Sequence, residues 1–308
     1  MSNIKARVVS PKYAKKFFSI TGIAMIIYTM FVLLLPFGLY EVFELTGSPI
    51  MKDDFLFFGI YLLIVVFGTL IPFMILRVYG KVKFRHIARN ASATFLELFV
   101  QTIVLFTACI ILTYISNIVL ARFGLDGKLI CSIGLTFNNE YLGSILYVFM
   151  LLIVTPILEE YAFRGVLLNV LGRYGKGFAL IVSSSMFALA HCNISEFLPA
   201  LAMGYILGKI SISYKSIQPT ILIHILFNVF LYVLCILPQN ITKYMAIVLV
   251  AIAVLAGYLI LSGRYQFIRV AKSKNVSRTS SLFCSRASVI IAIILMLAST
   301  ALFTFLIP

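Results

Sequence analysis

The sequence predicts an all-α membrane protein, a polytopic bundle of about eight or nine transmembrane helices. Apolar residues make up 62% of the chain and charged residues only 11%, whereas a soluble domain is about 25% charged. Apolar runs of about 20 residues, the length that crosses a hydrocarbon core, recur along the chain. Basic residues cluster in alternate gaps between these runs. Together these observations exclude a soluble globular domain.

Nine apolar segments fit the length of a membrane span. The first begins after a basic N-terminus and is too long for the core of a signal peptide, so we expect an uncleaved span. The middle segments are shorter and contain His, Asn and Ser. The predicted spans lie near 17–39, 55–78, 96–120, 143–163, 178–194, 197–213, 217–237, 244–262 and 288–307.

The distribution of charge predicts which side of the membrane each segment faces. If the N-terminus is cytoplasmic, all but four of the 25 Lys and Arg residues fall in inner segments, as the positive-inside rule requires. Outer segments instead hold most of the acids, including Glu196. The net charge of +15 therefore indicates topology and attraction to anionic membrane lipids. We expect no nucleic-acid partner.

Three regions follow from this pattern. Residues 1–141 form N-terminal membrane helices, with a short interfacial helix near 81–92. Residues 142–237 hold the polar residues discussed below, and residues 238–308 form C-terminal membrane helices around a solvated loop at 264–287. The five cysteines are scattered and lack a CxxC pair, so we expect no disulfide framework and no zinc ribbon.

Charged residues within predicted spans are the first candidates for function. A charged group at bilayer depth costs roughly 2.5–3.5 kcal/mol on insertion scales, yet Glu159, Glu160 and Arg164 end one apolar run. A helix puts Glu160 and Arg164 on one face, where they can pair. That pair fits a structural role as well as a functional one. Glu159 is then outside this ion pair, and it suits the role of a general base or acid.

Two further polar groups lie in the following spans. His191 comes late in an apolar helix, and His224 and Asn228 share one face of another. Each of these alone could be a hydrogen-bonded core residue or a contact between helices. Because the spans are short and close in sequence, we expect all of these polar groups to converge on one cavity.

The sequence lacks the motifs or residues that several known classes of intramembrane enzyme require. The chain has no HExxH motif and no GxSxG motif. Its aspartates all lie in predicted outer loops, so a pair of membrane aspartates is absent. The serines nearest to His191, at 183–185, precede it on the same helix. Glutamate and histidine remain as the reactive groups.

Three motifs in this order resemble those of a known family. They are EExxxR at Glu159–Arg164, FxxxH at Phe187–His191 and HxxxN at His224–Asn228. The set is similar to that of the CPBP or Abi family of intramembrane glutamate endopeptidases, related to type II CAAX prenyl proteases. The resemblance covers roughly residues 142–235, including a helix with Gly204 and Gly208.

The resemblance implies a role for each motif residue. Glu159 and His191 would hold and activate a water molecule, His224 and Asn228 would stabilise the oxyanion, and Glu160 with Arg164 would orient the site. No cofactor is implied by this scheme. The family was also long described as metal-dependent, and in that alternative Glu159, His191 and His224 would be zinc ligands.

The expected function is hydrolysis of peptide bonds in membrane-associated substrates, such as prenylated tails or bacteriocin-like peptides, at the cell membrane. Because Glu159 lies near the predicted inner end of its span, we expect the site to face the cytoplasmic leaflet. Two alternatives stay open. One is a non-catalytic relative, an immunity or scaffold protein that binds a peptide. The other is a proton-coupled transporter that uses the buried Glu and His.

Overall fold

Helices account for nearly all of the residues that the computed structural model describes, which are 11–83, 94–125, 141–236, 239–263 and 276–305. No strand occurs within these ranges. The predicted all-α fold is therefore confirmed. Most of the predicted interfacial helix at 81–92 lies outside the described residues.

Ten helices are present in the described ranges, two of them interrupted by π-helical turns. Helix α1 consists of Pro11–Tyr28, the π turn Thr29–Leu34 and Leu35–Leu45. Helix α4 consists of Tyr141–Phe149, the π turn Met150–Val154, Thr155–Glu159, the π turn Glu160–Leu167, Leu168–Leu171 and the 3₁₀ turn Gly172–Tyr174. The others are α2 (Asp54–Tyr79), α3 (Phe95–Ala121), α5 (Lys176–Leu189), α6 (Ile194–Tyr214), α7 (Gln218–Ile236), α8 (Gln239–Leu261), α9 (Val276–Cys284) and α10 (Ala287–Phe305).

Seven of the described helices are long and apolar enough to cross a membrane, namely α1, α2, α3, α4, α6, α7 and α10. Shorter apolar stretches occur in α5 and at Val250–Leu261 of α8. The helices match the predicted spans in order and position, so the protein is a multi-pass membrane protein. The cytoplasmic N-terminus stays a prediction.

Polar side chains fix where several helices begin. Asp53 accepts a hydrogen bond from the Leu56 amide at 2.8 Å and caps α2. At the start of α3, Thr94 and Glu97 form a reciprocal capping box, with bonds of 3.3 and 3.0 Å. These caps satisfy amides that would otherwise lack partners where each helix starts.

Part of the predicted solvated loop at 264–287 is helical, which corrects that prediction. Helix α9 presents Phe283, which is almost fully buried. Its ring contacts Phe18 of α1 at 5.2 Å and Phe178 of α5 at 5.6 Å between centroids. Burial of this one aromatic side chain anchors an otherwise polar, Ser-rich segment. The rest of the loop up to residue 275 lies outside the described residues.

The first and last helices pack closely, through a glycine. A Cβ built on Gly22 of α1 would lie 2.5 Å from backbone atoms of Ser288 and Val289 in α10. Ser288 Oγ also donates a hydrogen bond to the Ser19 carbonyl at 2.8 Å. Only glycine allows this approach.

The cysteines agree only in part with the expectation from sequence. Cys109 and Cys192 are free and buried, as apolar fillers would be, and Cys284 is free and exposed. Cys235, however, is disulfide-bonded. The expectation of no disulfide framework therefore needs a correction at Cys235, which the spacing of the cysteines along the chain did not indicate to be bonded.

Candidate active site

The turn after α5 lies inside the bundle, where Ala190 and Cys192 are both buried. Helix α5 itself has 14 residues and is about 21 Å long at 1.5 Å per residue, less than the roughly 30 Å of a hydrocarbon core. The turn satisfies its own amides, since those of His191 and Cys192 donate to carbonyls of α5 at 3.3 and 3.2 Å. Unpaired backbone groups at this depth would be costly.

The predicted pair of Glu160 and Arg164 forms. Arg164 Nη1 donates to Glu160 Oε1 at 2.7 Å, and both side chains are at most 1% exposed. The pair lies in the second π turn of α4 rather than in regular α-helix. Turns of this kind are frequent at functional sites.

The π turn leaves carbonyl oxygens that other side chains bind. Asn169 Nδ2 donates to the carbonyls of Arg164 and Gly165 at 3.0 and 2.9 Å. Ser183 of α5 donates to the Phe163 carbonyl at 2.9 Å. Ser183 is thus engaged in holding the turn, which agrees with leaving the serines out of the predicted chemistry.

Phe187 connects the charged pair to the two histidines. The Arg164 guanidinium lies over its ring, 4.1 Å from the centroid, a cation–π contact. The rings of His191 and His224 meet the same ring edge-on, with centroid distances of 4.7 and 6.0 Å. The sequence motif includes this phenylalanine, but its role became apparent only from the structure.

His224 bridges the two adjacent glutamates. Its Nδ1 lies 2.9 Å from Glu160 Oε1, and its Nε2 lies 3.6 Å from Glu159 Oε2. Because an ionised carboxylate only accepts hydrogen bonds, Nδ1 is the donor toward Glu160. This fixes the orientation of the ring and turns Nε2 toward Glu159, which is 18% exposed.

His191 is oriented in a similar way by the backbone. Its Nδ1 lies 2.8 Å from the Phe187 carbonyl oxygen. A carbonyl oxygen is only an acceptor, so Nδ1 carries the proton. In the neutral ring, Nε2 then keeps a lone pair that can take a proton from a water molecule.

Asn228 uses one of its two amide protons within the protein. Its Nδ2 donates to the Leu151 carbonyl at 3.1 Å, and Leu151 belongs to the first π turn of α4. A primary amide has a second N–H. Asn228 is therefore held in place and keeps a donor for a ligand.

A cavity of about 440 Å³ brings these groups together. Glu159, His191, His224 and Asn228 line it, while Glu160 and Arg164 lie fully buried behind the wall. Its size falls in the range of small-ligand pockets. The other lining residues are mostly apolar and come from α3, α4, α6 and α7: Thr113, Tyr147, Val148, Leu151, Thr155, Glu196, Pro199, Ala200, Met203, Phe227, Leu231, Tyr232, Cys235 and Ile236.

Glu196, which the sequence analysis did not select for the site, also lines this cavity. Asn193 Nδ2 donates to its Oε1 at 3.0 Å. Its predicted position in an outer segment stays a prediction. Sequence reasoning missed Glu196 as a site residue because it lies outside the three motifs, and its closeness in sequence to His191 was the signal that could have shown it.

Among the residues that the structure describes, no three or more His, Cys, Asp or Glu side chains are grouped so that they could hold a metal ion. The zinc-dependent alternative, with Glu159, His191 and His224 as ligands, stays a prediction.

Comparison with known proteins supplies independent information on this region. Residues 141–230 match the family described as type II CAAX prenyl endopeptidase Rce1-like. Over 107 residues the chain is 36% identical to the membrane-embedded CAAX protease MroQ of Staphylococcus aureus (strain USA300). That alignment covers 32% of this chain and 43% of the relative, so the chain matches less than half of the relative's length. No solved structure matches the chain significantly.

Proposed function

Because residues 141–230 match the Rce1-like type II CAAX prenyl endopeptidase family, we propose that this protein is an intramembrane glutamate endopeptidase. Its substrates are membrane-associated peptides or proteins in the cell membrane. Prenylated tails and bacteriocin-like peptides are the two substrate classes proposed. The apolar wall of the cavity suits such chains better than it suits polar soluble peptides.

One observation carries this proposal. A partly exposed carboxylate, Glu159, shares a cavity with His191, and a histidine held by a second carboxylate faces it. Peptide hydrolysis without a covalent intermediate needs a base, a water molecule and donors for the developing negative charge. In this proposal Glu159 is the base, Glu159 and His191 hold the water molecule, and His224 and Asn228 are the donors.

In the proposed reaction, water is held between Glu159 and the Nε2 lone pair of His191. Glu159 takes a proton as the water oxygen bonds to the substrate carbonyl carbon. The oxyanion then accepts hydrogen bonds from Asn228 Nδ2–H and from His224 when its Nε2 is protonated. Donors of this type are each worth roughly 2.7–4 kcal/mol in other enzymes. As the C–N bond breaks, the proton passes from Glu159 to the leaving amine.

Glu160 and Arg164 support the reaction from behind the wall. Glu160 fixes His224 through Nδ1, and Arg164 fixes Glu160 and covers Phe187. We propose that they position the reactive groups without touching substrate. The cytoplasmic position of the Arg164 end of α4 is proposed from the distribution of Lys and Arg alone.

The test compares purified proteins in detergent, incubated with a pool of membrane peptides and profiled by mass spectrometry. Glu159→Gln and His191→Ala should each lower the cleavage rate at least about a hundredfold, since each removes a group from the water-activating pair. Glu41→Gln removes an exposed carboxylate of α1 and should leave the rate unchanged.

Identical fragment profiles for the wild type and Glu159→Gln would contradict the proposal. A peptide-binding or scaffold protein of this family would instead retain its biological function with at least one of the two substitutions. A chelator arm is included in the same experiment, and loss of cleavage in that arm would support the metal-dependent alternative.

A further inference from the structure

The cavity is acidic although the chain is strongly basic. The chain has a net charge of +15, yet among the described residues no Lys or Arg lines the cavity, whereas Glu159 and Glu196 both do. The proposed mechanism uses Glu159 and leaves Glu196 without a role. Glu196 also lies outside the three motifs.

Hydrogen bonds hold the Glu196 side chain in place. The Ser195 amide and hydroxyl both donate to Asn193 Oδ1, at 3.0 and 2.7 Å. This orients Asn193, whose Nδ2 donates to Glu196 Oε1 at 3.0 Å. The carboxylate is thus fixed at the N-terminal end of α6 before any ligand arrives. Fixed groups lose less entropy when they bind.

Within the described part of the chain, Glu196 forms no ion pair with a Lys or Arg. The titratable groups that face it are His191, which attracts it when protonated, and Glu159, which repels it. One turn further along α6 the wall is formed by Pro199, Ala200 and Met203. A carboxylate beside apolar groups interacts strongly with any cation that enters, because little water screens the two charges. The ligand itself can supply that cation.

Helix capping alone does not account for this residue. An acid in the first turn of a helix is favourable, but Asn193 already caps α6 through its side chain, and the Glu196 side chain faces the cavity that also holds Glu159 and His191.

We propose that Glu196 is a specificity residue, and that the cavity selects peptide segments that carry a Lys or Arg side chain or a free amino group. This inference rests on the proposed function, because it treats the bound peptide as a substrate. It concerns peptide binding as well as peptide cleavage. Peptides that place a carboxylate in the cavity are disfavoured by repulsion from Glu196.

The test uses three short apolar peptides that differ in one central residue, Lys, norleucine or Glu. Binding to Glu159→Gln protein is measured by fluorescence anisotropy in an uncharged detergent, and cleavage is measured with Glu159 intact. The Lys peptide should bind and react at least about tenfold better than its norleucine twin, and the Glu peptide should be the poorest.

Glu196→Gln should abolish the preference for Lys over norleucine, and glutamine still accepts the Asn193 hydrogen bond, which keeps the side chain in place. Glu41→Gln should keep the preference. Cleavage without any preference for Lys, or a preference that survives Glu196→Gln, overturns the inference and leaves the protease proposal intact. Glu196-dependent binding without cleavage supports the inference and contradicts the protease proposal.

Discussion

Arg164 shows how much one side chain contributes to this site. It is 1% exposed, pairs with Glu160 and lies against the ring of Phe187. Through Glu160 it also fixes the Nδ1 side of His224. A buried ion pair of this kind is weak evidence for stability, but removing one partner leaves an uncompensated charge.

We therefore expect Arg164→Met to lower the free energy of unfolding by about 3–5 kcal/mol. Adding Glu160→Gln should recover part of that loss, because it removes the unpaired charge. Cleavage should stay low in both variants, since the single variant removes the arginine that holds Glu160 and the double variant also removes the carboxylate that holds His224. Unfolding can be followed with a thiol-reactive dye, because free Cys109 and Cys192 are buried.

If the double variant proves less stable than Arg164→Met alone, the two residues are not coupled as described. Arg173→Met is a matched control. It removes an arginine from the 3₁₀ turn that ends α4, and it should have little effect on stability.

Individual residues also show which features of the site could be predicted from the sequence. Glu160 and Arg164 were predicted to pair because four residues in a helix set two side chains on one face, and they do. Glu196 was not predicted to belong to the site, because it lies outside the three motifs, yet it lines the cavity. Phe187 was identified as part of the FxxxH motif, but its contacts with Arg164 and the histidines depend on how three helices pack together.

At the scale of helices, α5 and α6 hold the His191 turn between them. A Cβ built on Gly204 of α6 would lie 3.0 Å from Ser184 Cα in α5, and one on Gly208 would lie 2.5 Å from Leu180 Cδ1. Small residues let membrane helices approach closely. The pair of glycines noted in the sequence therefore sets the distance between α5 and α6.

Gly204→Leu should force α5 and α6 apart. The expected cost is about 1–3 kcal/mol of stability, as in other overpacked cores, together with a loss of cleavage because the His191 turn moves. Gly257→Leu in α8 is the control, since nothing lies within 4 Å of a Cβ at that position. Equal thermal stability and equal cleavage rates for the two variants would contradict this account of the α5–α6 contact.

The π turns in α4 were not predicted. An apolar run that ends in EExxxR indicates a helix, but its letters do not distinguish α from π geometry. In the structure, Ser183 and Asn169 donate hydrogen bonds to carbonyls of the second π turn. Those partners come from α5 and from the next turn of α4.

For the molecule as a whole, helices outside residues 141–230 complete the packing around the site. Tyr28 of α1 and Phe73 of α2 both contact Phe163, which lies next to Arg164, with ring centroids 5.8 Å apart in each case. Helix α10 packs on α1 at Gly22. The N- and C-terminal helices therefore close the core behind the site.

Gly22→Leu should separate α1 from α10, because the clash is with backbone atoms that cannot rotate away. We expect a loss of about 1–3 kcal/mol of stability, measured by thermal unfolding in detergent. Gly38→Leu in the same helix is the matched control, since its side chain would enter open space. Should Gly22→Leu unfold at the same temperature as Gly38→Leu, the α1–α10 contact is not a stabilising one.

The sequence by itself determined the all-α membrane fold, the order of the helices and the six polar residues of the motifs. It could do so because hydrophobic length, charge position and helical spacing are properties of neighbouring residues. Only the tertiary structure decided that Glu196 faces the cavity, that Phe283 anchors α9 and that His224 bridges two glutamates. These features depend on how deep each helix ends and which faces meet, and such distances are fixed by packing between segments that lie far apart in the chain.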